Sequence, residues 1–205
     1  MLKIWGRANS ANVKKVLWAA EELGLPYERI DAGGAFGIVG TPEYRAMNPM
    51  GQVPVLQDGD LTLFESNVIV RYLAARHGAG ALWIAEPADR ALAEIWMDWN
   101  HVVGGAIRDA LVGLLRTPPE KRDPAAIARS IGETARLAAI ADAALATRPW
   151  LSGAHFGVGD IPFGSYAHVW LNLPIERPDH PHLADWYARL LRRPAYAKVV
   201  ATPLS

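Results

Sequence analysis

A short stretch in the first third of the chain carries the residues best suited to holding a ligand. Glu65 and Ser66 follow an apolar run and open a segment of helical spacing over 67–77. A serine hydroxyl at a helix N-terminus, together with the free backbone N–H groups there, can bind an anion. Pro54 lies near the start of a predicted strand, where it removes a backbone donor and is normally confined to a sheet edge or a special site. A hairpin followed by an N-capped helix also explains each feature taken singly.

Taken together, these residues resemble the glutathione-binding half of a glutathione transferase, because Gln52-Val53-Pro54 is followed about a dozen residues later by Glu65-Ser66. The resemblance implies a cis Pro54, with the N–H and C=O of Val53 paired with the cysteinyl part of glutathione as one strand pairs with another. It implies that Ser66 binds the γ-glutamyl carboxylate and that Glu65 faces the ammonium group. It places Gln52 close to the glycyl end.

The reaction of this family requires a group that stabilises the glutathione thiolate near neutral pH, against a free thiol pKa of ~8.5. Branches of the family use Tyr, Ser or Cys near the end of the first strand, but this chain has no cysteine and no tyrosine in its first 26 residues. A theta-like branch has a serine six residues before a helix valine, as Ser10 precedes Val16. The resemblance makes Ser10 the main candidate, with Asn9 and Asn12 as alternative amide donors. Ser10 or Asn9 can instead simply cap the first helix.

In this family the electrophile pocket lies between two domains, and two arginines are candidates to line it. Arg7 stands at the end of the first predicted strand and is suited to a carboxylate of glutathione or substrate, although a solvated surface arginine explains it equally well. Arg108 follows the apolar stretch 102–107 on a helix expected to be mostly buried. It either pairs with Asp109 or a neighbouring helix, or faces the pocket and selects acidic or halogenated-acid electrophiles.

Composition excludes several function classes. The 205 residues are 51% hydrophobic and 20% charged with a formal net charge of zero, so no electrostatic feature favours nucleic acid or an anionic membrane as partner. The absence of cysteine excludes disulfides, thiolate metal sites and enzyme-borne thiol chemistry. The six histidines include no i, i+4 pair, and we expect no metal site. We expect no signal peptide and no membrane span, and therefore a cytoplasmic protein.

The order of predicted elements indicates two domains. The pattern β-α-β, short helix, β-β-α predicts an α/β thioredoxin-like domain over 1–78, with Thr41 capping the short helix and Asp58-Gly59 turning the hairpin. A linker over 79–87 precedes an all-α helical bundle over 88–205. Its first helix is expected over 88–115 with a bend near Gly104-Gly105, and others over 123–146, from about 156, over 182–191 and over 194–200. Relative to the family, Asp160 keeps one half of a capping box whose hydroxyl residue is replaced by Gly157.

The resemblance covers essentially the whole chain and implies a homodimeric glutathione transferase with a role in detoxification. Glutathione would be the co-substrate, conjugated to or substituted onto a small electrophile such as a halogenated organic acid, without a metal. Two alternatives remain on sequence grounds. One is a non-catalytic glutathione-fold binding or assembly module, which would have no need of an intact Val53-Pro54 and Glu65-Ser66. The other is a glutathione-dependent isomerase.

Overall fold

The computed structural model describes all 205 residues and contains one four-stranded sheet, followed along the chain by a bundle of helices. The strands are β1 (Leu2–Trp5), β2 (Tyr27–Ile30), β3 (Val55–Asp58) and β4 (Leu61–Phe64), in the order β2-β1-β3-β4. β1 is parallel to β2 and antiparallel to β3, which pairs antiparallel with β4. This mixed sheet confirms the predicted thioredoxin-like α/β fold class.

Three helices accompany the sheet: α1 (Ala11–Glu22), α2 (Pro42–Met47) and α3 (Ser66–His77). α1 connects the parallel pair β1 and β2, as expected for a crossover of this kind. Thr41 caps α2 as predicted, since its Oγ1 accepts a hydrogen bond from the backbone N–H of Tyr44 at 3.3 Å. The hairpin turn of Gly59 has the expected positive φ of 59°.

Six helices form the remainder: α4 (Pro87–Ala106), α5 (Arg108–Leu115), α6 (Pro124–Leu145), α7 (Asp160–Asn172), α8 (Pro181–Leu191) and α9 (Pro194–Val199). The helix predicted over 88–115 is interrupted, but at Ile107, which ends α4 and begins α5, rather than by a bend at Gly104-Gly105. Gly104 lies three residues earlier against the Tyr166 hydroxyl, where a Cβ would come within 2.9 Å. Two adjacent glycines weaken the helix and the fully buried Ile107 fixes the break. The predicted domain boundaries stay predictions.

α1 is the helix that ties the sheet region to the bundle. It packs against α3 on one side and against α7 and α9 on the other. Every residue from 13 to 20 is buried, and the Trp18 ring lies 4.7 Å from the Tyr196 ring between centroids. Two lysines, Lys14 and Lys15, are included in this buried run. No helix in the structure combines the length and the apolar character that crossing a bilayer requires.

Asp160 begins α7 as a fully buried carboxylate. Its Oδ2 accepts from the backbone N–H of Gly157 at 3.2 Å, which confirms the retained half of the capping box. A hydroxyl is supplied from elsewhere, because Ser152 Oγ accepts from the N–H of Gly159 at 2.9 Å. Burial raises the pKa of Asp160, while its hydrogen-bond donors, the Trp186 indole among them, favour the charged form.

Candidate functional site

A cavity of about 530 Å³ opens between the sheet region and helices α4, α5 and α7. Its walls combine the loop after β1, the start of α1, the loop before β3 and the junction of α4 with α5. The structure thus brings together predicted site residues that are up to a hundred positions apart in the chain. The predicted residues that line the cavity are Arg7, Ser10, Asn12, Gln52, Val53 and Arg108.

Ser10 occupies the N-cap position of α1 without using its side chain as a cap. Its carbonyl accepts from the N–H of Lys14 at 2.9 Å, but its hydroxyl makes no capping hydrogen bond. The side chain is 8% exposed and lines the cavity. The hydroxyl is therefore available to a ligand atom beside the positive end of the α1 dipole.

The two asparagines beside Ser10 occupy different places. Asn12 lines the cavity, and its Oδ1 lies 3.5 Å from Ser66 Oγ and 3.4 Å from Tyr166 Oη. Asn9 is exposed and outside the cavity lining, and its amide donates to Ser205 Oγ at 3.1 Å. Of the two alternative donors, Asn12 is the one that faces the cavity.

The segment before β3 presents an open stretch of backbone. The peptide bond between Val53 and Pro54 is cis, as the sequence comparison with glutathione transferases implied. Neither the N–H nor the C=O of Val53 has a hydrogen-bond partner within the chain. The Gln52 carbonyl accepts from Tyr44 Oη and from Asn48 Nδ2, each at 2.8 Å, which fixes the loop. The free peptide groups of Val53 can pair with an extended peptide ligand.

Glu65 and Ser66 form the N-terminus of α3. Glu65 has φ 67° and is one of two non-glycine residues with a positive φ, a conformation that costs about 1 kcal/mol or more. Ser66 is 5% exposed, and its hydroxyl approaches Asn12 and the ammonium of Lys15, both at 3.5 Å. Glu65, Ser66 and Pro54 do not line the cavity themselves, and Ser66 adjoins it through Asn12 and Lys15.

Three arginines give the cavity a positive wall. Arg7, Arg108 and Arg116 all line it, and none has an Asp or Glu carboxylate within 4 Å. The alternative ion pair between Arg108 and Asp109 is therefore not formed. Arg116 donates from Nε and Nη2 to the main-chain oxygen of Ser205 at 3.2 and 2.8 Å. Burial and the charge of Arg7 lower the pKa of Arg116, so the two guanidinium groups influence each other.

The glycine-rich loop after β2 makes room for Arg7. A Cβ at Gly33 would come within 3.2 Å of Arg7 Nη1, and a Cβ at Gly34 within 3.1 Å of Arg7 Cδ. Both glycines have positive φ angles, of 75° and 60°. Side chains at these two positions would therefore displace the guanidinium from the cavity wall.

Sequence reasoning missed three residues of the site. Lys15, Tyr166 and Arg116 all line the cavity, and Tyr166 lies with its ring 5.2 Å from the Lys15 ammonium. A lysine pair inside the apolar run of α1 was the one available signal for Lys15, because a solvated lysine would not be expected there. Tyr166 and Arg116 carry no local signal. Tyr166 reads from the sequence as an ordinary buried aromatic residue of a helix, and Arg116 as an ordinary surface cation.

The arrangement favours a peptide-like ligand with an anionic or thiol end. The unpaired backbone of Val53 can bind an extended chain, and the N-terminus of α3 with Ser66 can bind a carboxylate. The free Ser10 hydroxyl and the α1 N-terminus can stabilise a thiolate. The arginine wall adds a place for a second anion.

Comparisons with known proteins agree with this chemistry. A family model described as glutathione S-transferase, N-terminal domain, matches residues 1–75. Glutathione S-transferase GstB of Escherichia coli K12 is 52% identical over 208 residues, with both chains covered completely. Glutathione S-transferase 4 of Zea mays is 30% identical, covering 97% of this chain and 91% of the maize protein.

A solved structure resembles the chain over its whole length. The theta class glutathione S-transferase from Xanthomonas axonopodis pv. citri, crystallised with glutathione bound, superimposes with a TM-score of 0.97. It is 54% identical, and the match covers 100% of this chain and 99% of that one. The sheet followed by the helical bundle is therefore the architecture of a known group of enzymes.

Proposed function

Since this chain belongs to the glutathione S-transferase family, we propose that its cavity binds glutathione and transfers it to small electrophiles that carry a carboxylate, halogenated organic acids in particular. The observation that supports this substrate class is the wall formed by Arg7, Arg108 and Arg116. Arg7 and Arg108 have no Asp or Glu partner, and Arg116 donates to the main-chain oxygen of Ser205. Removal of such reactive acids would make the enzyme a detoxifying one.

Glutathione lies across the sheet side of the cavity in this proposal. Its cysteinyl N–H and C=O pair with the free peptide groups of Val53, beside the cis Pro54. Its γ-glutamyl carboxylate meets Ser66 and the N-terminus of α3, and Glu65 faces the ammonium group. Gln52, which lines the cavity, lies at the glycyl end.

The sulfur is then directed at Ser10. The Ser10 hydroxyl, which makes no capping hydrogen bond, donates to the thiolate, and the N-terminus of α1 adds a partial positive charge. Together they lower the thiol pKa below its free value of ~8.5, so the nucleophile is formed near neutral pH. The thiol proton leaves to solvent.

The transfer step is a substitution at the carbon that bears the halogen. The thiolate attacks this carbon, a C–S bond forms, the C–halogen bond breaks and the halide leaves with the bonding electron pair. Arg108 and Arg7 hold the carboxylate of the acid, and Arg116 extends the same positive wall. Holding the acid beside the thiolate supplies the proximity and orientation that the reaction needs.

The test of this function compares an anionic and a neutral electrophile of nearly the same size, 2-bromopropionate and 2-bromopropionamide, each rate being divided by its rate with glutathione alone. We expect glutathione-dependent bromide release from both, with kcat/KM higher for the acid by about 10-fold or more, as for a charge-assisted pair. Calorimetric titration with reduced glutathione, with and without Ser66→Ala, tests the thiol site separately. Equal rate enhancements over the uncatalysed reaction for the two electrophiles would contradict the substrate class, and no glutathione binding to the unchanged protein would contradict the site.

We further propose that two copies of the chain associate through an apolar face shared by α3 and α4. Leu92, Ile95 and Val102 lie along one side of α4 and are 58%, 59% and 53% exposed. Val68 on α3 is 45% exposed, and Arg71, three residues further along α3, forms ion pairs with Glu94 and Asp98 of α4. A second copy is the occupant that the homodimer implied by the family resemblance would place there.

A further inference from the structure

Lys15 is a buried lysine whose ammonium group lies at the junction of three helices. The side chain is 2% exposed, and its Nζ lies 3.5 Å from Ser66 Oγ and 3.4 Å from Asn67 Oδ1, both on α3. In the amide orientation that also satisfies the Pro162 carbonyl, Asn100 of α4 accepts from Nζ at 3.1 Å. The ring of Tyr166 on α7 lies 5.2 Å away.

The ammonium group has neutral contacts only. Two of its three polar contacts are at the outer limit of hydrogen bonding, and no carboxylate lies within 4 Å. Buried charges are expensive unless paired, so this group lacks the partner it would be expected to have. Lys15 also lines the cavity, which gives a ligand atom access to it.

Few other ionisable groups face this position. Glu65, at the N-cap of α3, is the acidic group that influences it. His101 of α4 lies 3.5 Å from the Asn67 amide, and Tyr166 faces the ammonium with its ring. Lys14, its neighbour on α1, instead donates to the Val200 carbonyl and Thr202 Oγ1.

We propose that Lys15 is a positioning residue whose ammonium is the buried counter-charge for the α-carboxylate of the γ-glutamyl group, acting through Ser66. The inference rests on the proposed glutathione site, since it needs that carboxylate at Ser66. The bound carboxylate supplies the acidic partner that the folded chain lacks. Lys15 thereby adds to affinity and holds Ser66 for the ligand, without touching the reacting sulfur.

The proposal makes ligand binding depend on a proton. Burial lowers the pKa of Lys15 to about 7, with Glu65 opposing the shift. A bound carboxylate favours the charged ammonium and raises that pKa, so the ligand takes up a proton when it binds near neutral pH. Affinity is then greatest below about pH 7 and falls as the pH rises above it.

The experiment is calorimetric titration with two thioethers, because a thioether has no thiol to titrate. One is S-methylglutathione, and the other is its analogue with a 4-aminobutyryl group in place of γ-glutamyl, which lacks only the α-carboxylate. Each is titrated into the unchanged protein, Lys15→Met and the matched control Lys14→Met. Measurements at about pH 6 and about pH 8.5 lie on either side of the Lys15 pKa. Two buffers of different ionisation enthalpy report the protons taken up.

At about pH 6, we expect Lys15→Met to lower the affinity for S-methylglutathione by about 10- to 100-fold and the affinity for the decarboxylated analogue by less than about 3-fold. For the unchanged protein, affinity for S-methylglutathione should fall by about 10-fold at the higher pH, with proton uptake that Lys15→Met abolishes and Lys14→Met retains. Equal losses for both thioethers, or no loss for either, would overturn the inference. If the unchanged protein binds neither thioether, the glutathione site itself is wrong. If it binds S-methylglutathione but Lys15→Met affects the two thioethers alike, only the role of Lys15 is removed.

Discussion

The Trp186 indole donates a hydrogen bond from Nε1 to Oδ1 of Asp160 at 2.8 Å, and both side chains are fully buried. The same oxygen accepts from the backbone N–H of Leu151 at 2.8 Å, and Oδ2 accepts from the N–H groups of Ser152 and Gly157. One carboxylate thus joins the start of α7, the preceding connection and α8. Both of its oxygens face donors, which leaves no place for an N–H group.

Asp160→Asn should therefore destabilise the protein strongly. An amide nitrogen in place of either oxygen would face two donors, so two hydrogen bonds are lost with no replacement; we expect a loss of about 3 kcal/mol or more in the free energy of unfolding. Urea unfolding measures this quantity. The control is Asp142→Asn, because Asp142 accepts a single bond, from the N–H of Leu183, and an amide oxygen can still accept it. Similar midpoints for both variants would contradict the anchoring role.

Ser10→Ala should impair chemistry more than binding. Removing the donor to the thiolate is expected to lower kcat by about 100-fold, the usual cost of losing one donor to a developing anion, and to change glutathione affinity by less than about 3-fold. Steady-state kinetics together with an ultraviolet titration of the bound thiolate measure both effects. Asn9→Ala, at an exposed position outside the cavity, is the control. Unchanged turnover in Ser10→Ala would transfer the donor role to Asn12.

Arg108→Met should reduce the preference for charged electrophiles. We expect kcat/KM for 2-bromopropionate to fall by about 10- to 100-fold, while the value for 2-bromopropionamide stays within about 3-fold, because only the acid uses the cation. Arg129→Met, an exposed arginine on α6 that makes no ion pair, should change neither value. A parallel loss for acid and amide would mean that Arg108 supports the cavity structurally rather than holding the carboxylate.

The sequence predicted the features whose cause is local. The Thr41 cap with Pro42 behind it and the sheet pattern depend on neighbouring residues, and both appear in the structure. The hairpin turn is one residue later than the predicted Asp58-Gly59, because Asp58 still pairs with Leu61 as the last residue of β3 and Gly59 alone has a positive φ. The bend was predicted near Gly104-Gly105, whereas the break between α4 and α5 is at Ile107. Ile107 is fully buried, and its environment includes residues of other helices that no local pattern contains.

The lining of the cavity was predicted in part for the same reason. Ser10, Asn12, Val53 and Arg108 stand in recognisable local patterns, and the cavity brings them together. Lys15 looked like an ordinary helical lysine, since only the packing of α3, α4 and α7 around α1 buries it. Whether a hydroxyl is free or engaged as a cap is likewise decided by tertiary geometry, which is why Ser10 could not be assigned from sequence alone.

Ile95→Glu should separate the two copies of the chain. A charge at the centre of the apolar face of α4 would have to be buried in the interface without a partner, which is unfavourable by several kcal/mol. Sedimentation equilibrium of the unchanged protein is expected to give a dimer and that of the variant a monomer. Ile140→Glu is the matched control, because Ile140 is 41% exposed on α6, away from the face. A dimer that survives Ile95→Glu would place the interface elsewhere.

Lys15→Met should stabilise the folded chain while lowering its affinity for glutathione. Burial lowers the pKa of Lys15 from its ordinary 10.5 to about 7. Between these two values the unfolded chain binds more protons than the folded chain, so the stability of the unchanged protein rises with pH over this window. The lysine is thus least favourable below about pH 7, where the folded state must bury the full charge.

The measurement is urea unfolding of the unchanged protein and of Lys15→Met at about pH 6.5 and about pH 9.5. We expect the variant to be more stable by about 2 to 4 kcal/mol at the lower pH. The difference should shrink at the higher pH, because Lys15 is then neutral in the folded state and its proton costs less to remove as the pH approaches the unfolded pKa of 10.5. Lys14, whose pKa burial lowers to about 8, contributes equally to both proteins and cancels in the difference. A difference independent of pH would show that Lys15 is not buried as a charge, whereas the expected pattern would identify a residue kept for binding at the expense of stability.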